Sequence, residues 1–368
     1  MPPLNNFFVI SLLAFVVAAA ISFGMTPVVK IFAKRVGAID VPKDGRRMHN
    51  VPIPRLGGLA IFFGFIVSVL LLGQIDVQAR GILLGSVIII ALGVIDDIMP
   101  LNALLKFGVQ ILAALIPVLA GVRIEFLSNP NIFSDAMYFS LGYFSVPVTI
   151  LWIVGITNAV NLIDGLDGLA VGISSIASFS LFVVATLIAE PFIAIVMAAL
   201  AGACIGFMPY NLNPAKIFMG DTGSAFLGFI LATVSIQGLF KFYAIVSFAV
   251  PFLILGLPIF DTVFAIGRRI ASGRNPMQAD RGHVHHRLID MGFNQKQSVA
   301  ILYATSGLLG LSAVILTTSG EVKAMLLIVT VIVAVIIGAK IMGSMSHAEH
   351  GEVQSSAEKT DGENNGKN

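Results

Sequence analysis

Apolar residues in this chain come in long unbroken blocks. Those at 5–26, 56–73, 81–95, 105–121, 144–160, 168–188, 191–209, 222–239, 243–264, 299–317 and 323–343 are each long enough to cross a bilayer as a helix, several only just. Eleven spans put the two termini on opposite sides. A membrane barrel would instead need alternating apolar and polar positions, and these blocks do not alternate. The first block has no basic residues before it and no small-residue cleavage site after it, so it reads as a retained helix. The expected fold is therefore all-α, a polytopic membrane protein with a single transmembrane domain over 1–346. The polar segment 347–368 is too poor in apolar residues to pack and is expected to be disordered.

Composition strengthens this reading. Hydrophobic residues are 57% of the 368 and charged residues 11%, against about a quarter in soluble domains. The net charge of +2 says little, but the placement of charge says more. With the N-terminus outside, of the 22 Lys and Arg only Arg80, Arg123, Lys241 and Lys323 fall on the outer side. The rest face inward, as cytoplasmic loops require. Glu125, Glu190 and Glu321 fall outside, whereas the inner side before the tail carries only aspartates. The single Cys204 sits in an apolar block, which excludes a disulfide framework and a thiolate metal site.

Polar chemistry gathers on that inner side, in the segments 27–55, 96–105, 158–168, 209–222 and 265–298. The densest stretch is Asn158–Ala170, NAVNLIDGLDGLA. On a helix, Asn158 and Asn161 share a face, as do Asp164 and Asp167. Two close carboxylates near lipid repel and lose hydration, so a divalent cation or a metal–diphosphate is the expected compensation. Asp96-Asp97 end the third block before Pro100, with Lys106 opening the next block at the same level. Adjacent aspartates point about 100° apart on a helix, so one of them should face a given ligand. Asp221, in FMGDTGSAFLGF, opens the eighth block either as a helix cap or as a metal ligand. Asn211 and Phe218 stand on the same edge, where a lone Phe serves either as an interfacial anchor, its usual role, or to stack on a base. The segment RRIASGRNPMQADRGHVHHRL brings Arg281, His283, His285 and His286 together. Three histidines within four residues are too close to ligate one zinc comfortably, so the cluster suits a diphosphate better. The first inner loop, DVPKDGRRMHNVPIPRLGG, reads only as a basic, Pro- and Gly-rich anion or membrane surface. Together these loops imply phosphoryl transfer involving a lipid substrate.

NAVNLIDGLDGLA, the Asp96-Asp97 pair, NLNPAKIFMGDTGS and DRGHVHH, in this order, resemble the polyprenyl-phosphate N-acetylhexosamine-1-phosphate transferases from about Lys30 to Phe293. The resemblance implies Mg²⁺-dependent transfer (Mn²⁺ being the alternative ion) from a UDP-sugar to undecaprenyl phosphate at the inner leaflet of the bacterial plasma membrane, with release of UMP. It further implies metal ligation by Asp221 with Asp97, and catalysis by Asp96, Asp97, Asp221 and His286. Lys106, Asn158, Asn161, Asp164, Asp167, Asn211, Phe218, Arg281, His283 and His285 would bind substrates. His-Val-His-His after Asp280-Arg281 looks like the branch using UDP-N-acetylglucosamine, and the first loop like members that initiate teichoic acid linkage units. The muramoyl-pentapeptide branch, with three consecutive histidines, is the runner-up. The bilayer is a partner, nucleic acid is not, and a homodimer is a candidate assembly. CDP-alcohol phosphatidyltransferases need an arginine soon after Asp-Gly, which Asp164-Gly165 lacks. An ion-coupled transporter would place its acids mid-membrane on broken helices, whereas here they lie at helix ends, Asp261 being the arguable exception.

Overall fold

A backbone surrounded by lipid must satisfy its own hydrogen bonds, and helix is the local way to do so. The computed structural model describes residues 4–42, 51–128, 138–239, 246–273, 282–319 and 329, and it is predominantly helical. The first eight apolar blocks each form one helix: α1 (Leu4–Arg35), α2 (Gly58–Leu72), α3 (Val77–Ile98), α4 (Ala103–Leu119), α5 (Ser145–Leu162), α6 (Leu169–Leu187), α7 (Pro191–Asn211) and α8 (Gly220–Leu239). The ninth block is a correction. It breaks at Leu255 into α9 (Val246–Ile254) and α10 (Gly256–Ala271). Pro258 has no N–H to donate to the carbonyl of Ile254, so one helical hydrogen bond is missing across this break. A short α11 (Val284–Asp290) and a long α12 (Gln295–Ser319) follow, while the block at 323–343 and the tail lie outside the described residues. Among the described residues six helices are long and apolar enough to cross a membrane: α1, α3, α5, α6, α7 and α12. The chain is a multi-pass membrane protein.

Side chains such as Leu12, Leu84, Leu119 and Leu151 are more than half exposed, as lipid-facing residues must be. Inside the bundle, α7 lies against α1, α2 and α6 through a run of small residues (Ala194, Ala198, Ala199, Ala201, Ala203) that lets backbones approach closely. Buried hydroxyls donate back to their own helix, as Thr157 does to the carbonyl of Ile153 at 2.7 Å. Among the described residues, two small sheets complete the fold. β1 (Ile39–Asp40) and β2 (Ile53–Pro54) pair antiparallel, with Ile39 opposite Pro54. β3 (Phe126–Ser128) and β4 (Tyr138–Ser140) also pair antiparallel, with Leu127 opposite Phe139.

β2 and the residues after it set the geometry of the polar end. Phe218 N donates to the carbonyl of Pro54 at 2.8 Å, and Gly57 and Gly58 donate to the carbonyls of Phe218 and Met219, each at 2.9 Å. The first loop is thereby stitched to the entry of α8. Gly58 then packs on the backbone of Gly223, where any side chain would collide. At this level α2 and α8 touch backbone to backbone.

Candidate active site

One end of the bundle holds a cavity of about 300 Å³, at the lower end of the size range of ligand sites. Its walls come from helix ends and the turns between them. Lining residues include Asp97, Asn161, Asp164, Asp167, Asn211, Phe218, Asp221 and His286. The other described residues expected from the sequence are used differently.

Asp97 closes α3 and is 7% exposed. It reaches across to the start of α8. Its Oδ1 accepts from Asp221 N at 3.0 Å, and its Oδ2 accepts from Thr222 N at 3.0 Å and Thr222 Oγ1 at 2.7 Å. The first N–H groups of a helix have no partner within it, and a carboxylate from another helix satisfies them here. Gly220 allows this contact. Its φ of 72° is left-handed, and a Cβ there would run into the Asp97 carboxylate. Asp97 therefore takes the capping role that Asp221 was a candidate for, and leaves the Asp221 side chain for other partners.

Asp96 points elsewhere, as the 100° rule requires, and does not line the cavity. Its Oδ1 accepts from Leu101 N and its Oδ2 from Lys106 Nζ, both at 2.8 Å. Lys106 also lies 3.0 Å from Asp221 Oδ2, so one ammonium bridges two carboxylates from α3 and α8.

The turn after α5 differs from the helical pairing expected for it. The helix ends at Leu162, and residues 163–168 are a turn that leads into α6 through Gly168. Asp164 and Asp167 both line the cavity, from the turn and not from one helical face. Asp167 Oδ2 accepts from Asn213 Nδ2 at 2.9 Å and Ala215 N at 3.0 Å, which ties this turn to the one after α7. Asp164 has no such support. Burial, then the charges of Asp221, Asp97 and Asp167, push its carboxyl up to about 8, with Arg55 opposing. The two asparagines also part company. Asn161 donates to Ser224 Oγ on α8 at 2.7 Å, whereas Asn158, a turn deeper, donates to Gln110 Oε1 on α4 at 2.6 Å and does not line the cavity. Asn211 is buried, and its amide donates to the carbonyl of Ile217 at 3.0 Å, closing the turn that presents Phe218.

The histidine arm is carried by α10, with Asp261 as its anchor. Asp261 Oδ2 meets His283 Nδ1 and its Oδ1 accepts from Val284 N, both at 2.8 Å, while Arg268 Nη1 donates to the carbonyl of Gly282 at 2.9 Å. One turn away, Arg268 and Arg287 lie 5.8 and 4.9 Å from the centre of the Phe264 ring. His283 and His285 are buried in this arrangement, and of the three only His286 lines the cavity. Burial, then the neighbouring charge of His286, pulls His285 down to about 3, so it is neutral at any physiological pH. Its ring sits over Gly165 in the Asp164–Asp167 turn. Arg281 lies outside the described residues.

Residues missed by the sequence reading also shape the site. Arg55, Asp40 and Gln295 line the cavity, and Asp261 sets the arm. Proximity to NAVNLIDGLDGLA could not reveal them. The one usable signal was Asp261, a lone acid inside an apolar block.

In chemical terms the cavity is an oxygen-donor site. No three acids or histidines among the described residues form a ready-made metal cage. The carboxylates of Asp97, Asp164, Asp167 and Asp221, with Asp164 held back from ionising by burial and then by its neighbours' charge, nonetheless suit a hard divalent cation that takes one or two carboxylates and completes its shell with phosphate and water.

The chain is 40% identical over 331 residues, 90% of its own length and 91% of the other's, to a Bacillus subtilis (strain 168) protein named probable undecaprenyl-phosphate N-acetylglucosaminyl 1-phosphate transferase. The family model of glycosyl transferase family 4 matches residues 79–239. The chain belongs to glycosyl transferase family 4. Other family 4 relatives differ in the sugar their names carry. A Thermotoga maritima undecaprenyl-phosphate alpha-N-acetylglucosaminyl 1-phosphate transferase is 33% identical over 80% of this chain and 88% of its own. A Staphylococcus aureus (strain MSSA476) phospho-N-acetylmuramoyl-pentapeptide-transferase is 31% identical over 83% and 98%. The stretch matched by the family 4 model, α3 to α8, contains Asp96, Asp97, Asp164, Asp167 and Asp221, but neither the first loop nor the histidine arm.

Proposed function

We propose that the protein transfers N-acetylglucosamine-1-phosphate from UDP-N-acetylglucosamine to undecaprenyl phosphate, releasing UMP, as the first membrane step of teichoic acid or a related envelope polysaccharide. The observation that carries this reading is the cavity itself: five carboxylates, an aromatic ring at Phe218 and His286 at one end of an apolar bundle. A nucleotide diphosphate with a cation fits that chemistry, and the bundle wall suits a lipid acceptor. The 40% identical relative favours N-acetylglucosamine over the muramoyl-pentapeptide substrate.

In the proposed reaction an oxygen of the lipid phosphate attacks the β-phosphorus, a new P–O bond forms, and the bond to UMP breaks with its electron pair leaving on the UMP phosphate. One diphosphate linkage replaces another, so the step is close to balanced and its barrier is electrostatic and orientational. Asp221 and Asp97, with Asp164 and Asp167 nearby, would hold Mg²⁺ or Mn²⁺, which neutralises diphosphate charge when bound. Phe218 would stack on uracil beside Asn211, and Asn161 would keep the Asp221 region in register through Ser224. His286 would meet the diphosphate or sugar, while His283 and His285 serve by placing it. Lys106, bridging Asp96 and Asp221, stands ready for the acceptor phosphate, and Asp96 is released as Lys106 turns to it. Direct attack by the lipid phosphate needs no covalent enzyme intermediate. Charge asymmetry of the loops supports a cytoplasmic site in the bacterial plasma membrane, with the N-terminus outside and eleven spans in all.

The test is UMP release by purified protein given Mg²⁺, undecaprenyl phosphate and either UDP-N-acetylglucosamine or UDP-N-acetylmuramoyl-pentapeptide. Release with the first alone is expected. Release with only the second would overturn the sugar assignment, and no release from a folded sample would overturn the reaction.

A further inference from the structure

The cavity is lined by five carboxylates, Asp40, Asp97, Asp164, Asp167 and Asp221, yet the nucleotide proposed for it carries two phosphates. Among the described residues that line it, only Arg55 and His286 can bring positive charge. Arg55 belongs to the first loop, outside the stretch that the family model matches. Its placement is built into the fold. Its N–H donates to the carbonyl of Ala38 at 2.9 Å, it directly follows β2, and its Nη2 lies 2.8 Å from Asp40 Oδ1 on the facing strand β1. β2 is in turn bonded through Pro54 to the backbone of Phe218. Arg55 therefore directly follows the residue bonded to the backbone of Phe218, and both line the cavity.

We propose that Arg55 grips the diphosphate of the nucleotide sugar, with Asp40 as the positioning residue that aims its guanidinium; this rests on the function proposed above. A guanidinium offers five N–H donors in a planar fork. Asp40 engages one end, and the remaining nitrogens make no hydrogen bond to a described residue. That leaves an edge suited to two phosphate oxygens, which a lysine ammonium matches less well. The other phosphate in the reaction, that of the lipid, has its own cation in Lys106, which contacts Asp96 and Asp221 and does not line the cavity. Two cations on separate elements thus suit two phosphates arriving separately.

The experiment pairs steady-state UMP release with equilibrium binding of UDP and of uridine to Arg55→Met, Arg55→Lys and Asp40→Asn. For Arg55→Met, UDP binding weakens at least tenfold while uridine binding stays within twofold. The KM for UDP-N-acetylglucosamine rises by a similar factor and the KM for undecaprenyl phosphate does not. Arg55→Lys recovers part of the loss, and Asp40→Asn shows the same pattern more weakly. Unchanged UDP affinity in Arg55→Met would overturn the proposal, and a rise confined to the lipid-phosphate KM would give Arg55 to the acceptor instead. If Arg55→Met does not stay monodisperse in detergent, Arg55→Lys and Asp40→Asn decide the point by the same ratio of UDP to uridine affinity. If the wild type binds UDP but releases no UMP, the reaction fails while the binding comparison still judges Arg55.

Discussion

Replacing Asp97 by alanine removes three hydrogen bonds at once, and the structure says what each is worth. The acceptor is a carboxylate, and its donors are Asp221 N, Thr222 N and Thr222 Oγ1. Bonds to a charged group contribute about 1.5–3 kcal/mol each, and buried donors left without an acceptor cost about 1–3 kcal/mol. Such losses are not additive, and Thr222 Oγ1 can rotate to another acceptor, so about 3–5 kcal/mol is the expected total. Asp97→Asn behaves differently. It keeps one acceptor oxygen, and its new amide can donate to Thr222 Oγ1, so one backbone N–H is stranded at a cost of about 1–3 kcal/mol. Both variants lose UMP release, because both lose charge in the cavity. The assay is therefore stability without substrate: the temperature at which half the protein leaves the monodisperse peak in detergent. The expected order is wild type above Asp97→Asn above Asp97→Ala. Asp164→Asn is the internal control. Asp164 accepts no hydrogen bond from a described residue and is crowded by like charge, so its neutral variant should be at least as stable as wild type while inactive. If all three variants melt with the wild type, Asp97 does not cap α8 and the account of the site's floor is wrong.

Three further outcomes follow from the same geometry. Lys106→Met removes the ammonium that bridges Asp96 and Asp221, so Mn²⁺ followed by electron paramagnetic resonance without substrate should bind a few-fold tighter while turnover falls; weaker binding would show that Lys106 does not compete with the cation. Asp164 is raised to about 8 by burial and by neighbouring carboxylates, so below that pH a cation must displace its proton. Mn²⁺ affinity should climb up to tenfold per pH unit towards about 8 and then level off, and a climb that persists in Asp164→Asn would assign the proton to another group. Gly165→Ala drives a methyl into the buried His285 ring, so turnover should drop at least tenfold with little change in melting temperature, and normal turnover would mean the histidine arm need not seat on that turn.

How much of this could be read beforehand depended on the range of the interaction. Lipid imposes a local rule, so unbroken apolar blocks located α2 to α8 within a few residues, while α1 runs on to Arg35, nine residues past its block. The break at Leu255 was not legible, since Pro258 alone does not mark it: Pro27, Pro117 and Pro209 stand inside helices that run on. Asp97, Asp164, Asp167 and Asp221 were picked out by residue type, and all line the cavity. Their arrangement was not legible. Helical periodicity predicts Asp164 and Asp167 on one helix face, whereas residues 163–168 form a turn that holds Gly165 and Gly168. It also joins Asn158 to Asn161, whose partners Gln110 and Ser224 sit on different helices far along the chain. Arg55 looked like one more inward-facing cation until β1 and β2 paired and brought Asp40 to it.

The reach of Asp97 also sets a timetable for biogenesis. Its partner Thr222 lies 125 residues further along the chain. At roughly 5–20 residues per second, a ribosome needs on the order of 6–25 s to deliver that partner after Asp97 has emerged. Asp96 waits far less, because Lys106 arrives only ten residues later and can shield it almost at once. α3 must therefore sit in the bilayer for many seconds with one carboxylate unclaimed. The floor of the site closes only when α8 enters beside α3, so a chain truncated before α8 would be left with the end of its third helix as an exposed signal for quality-control proteolysis.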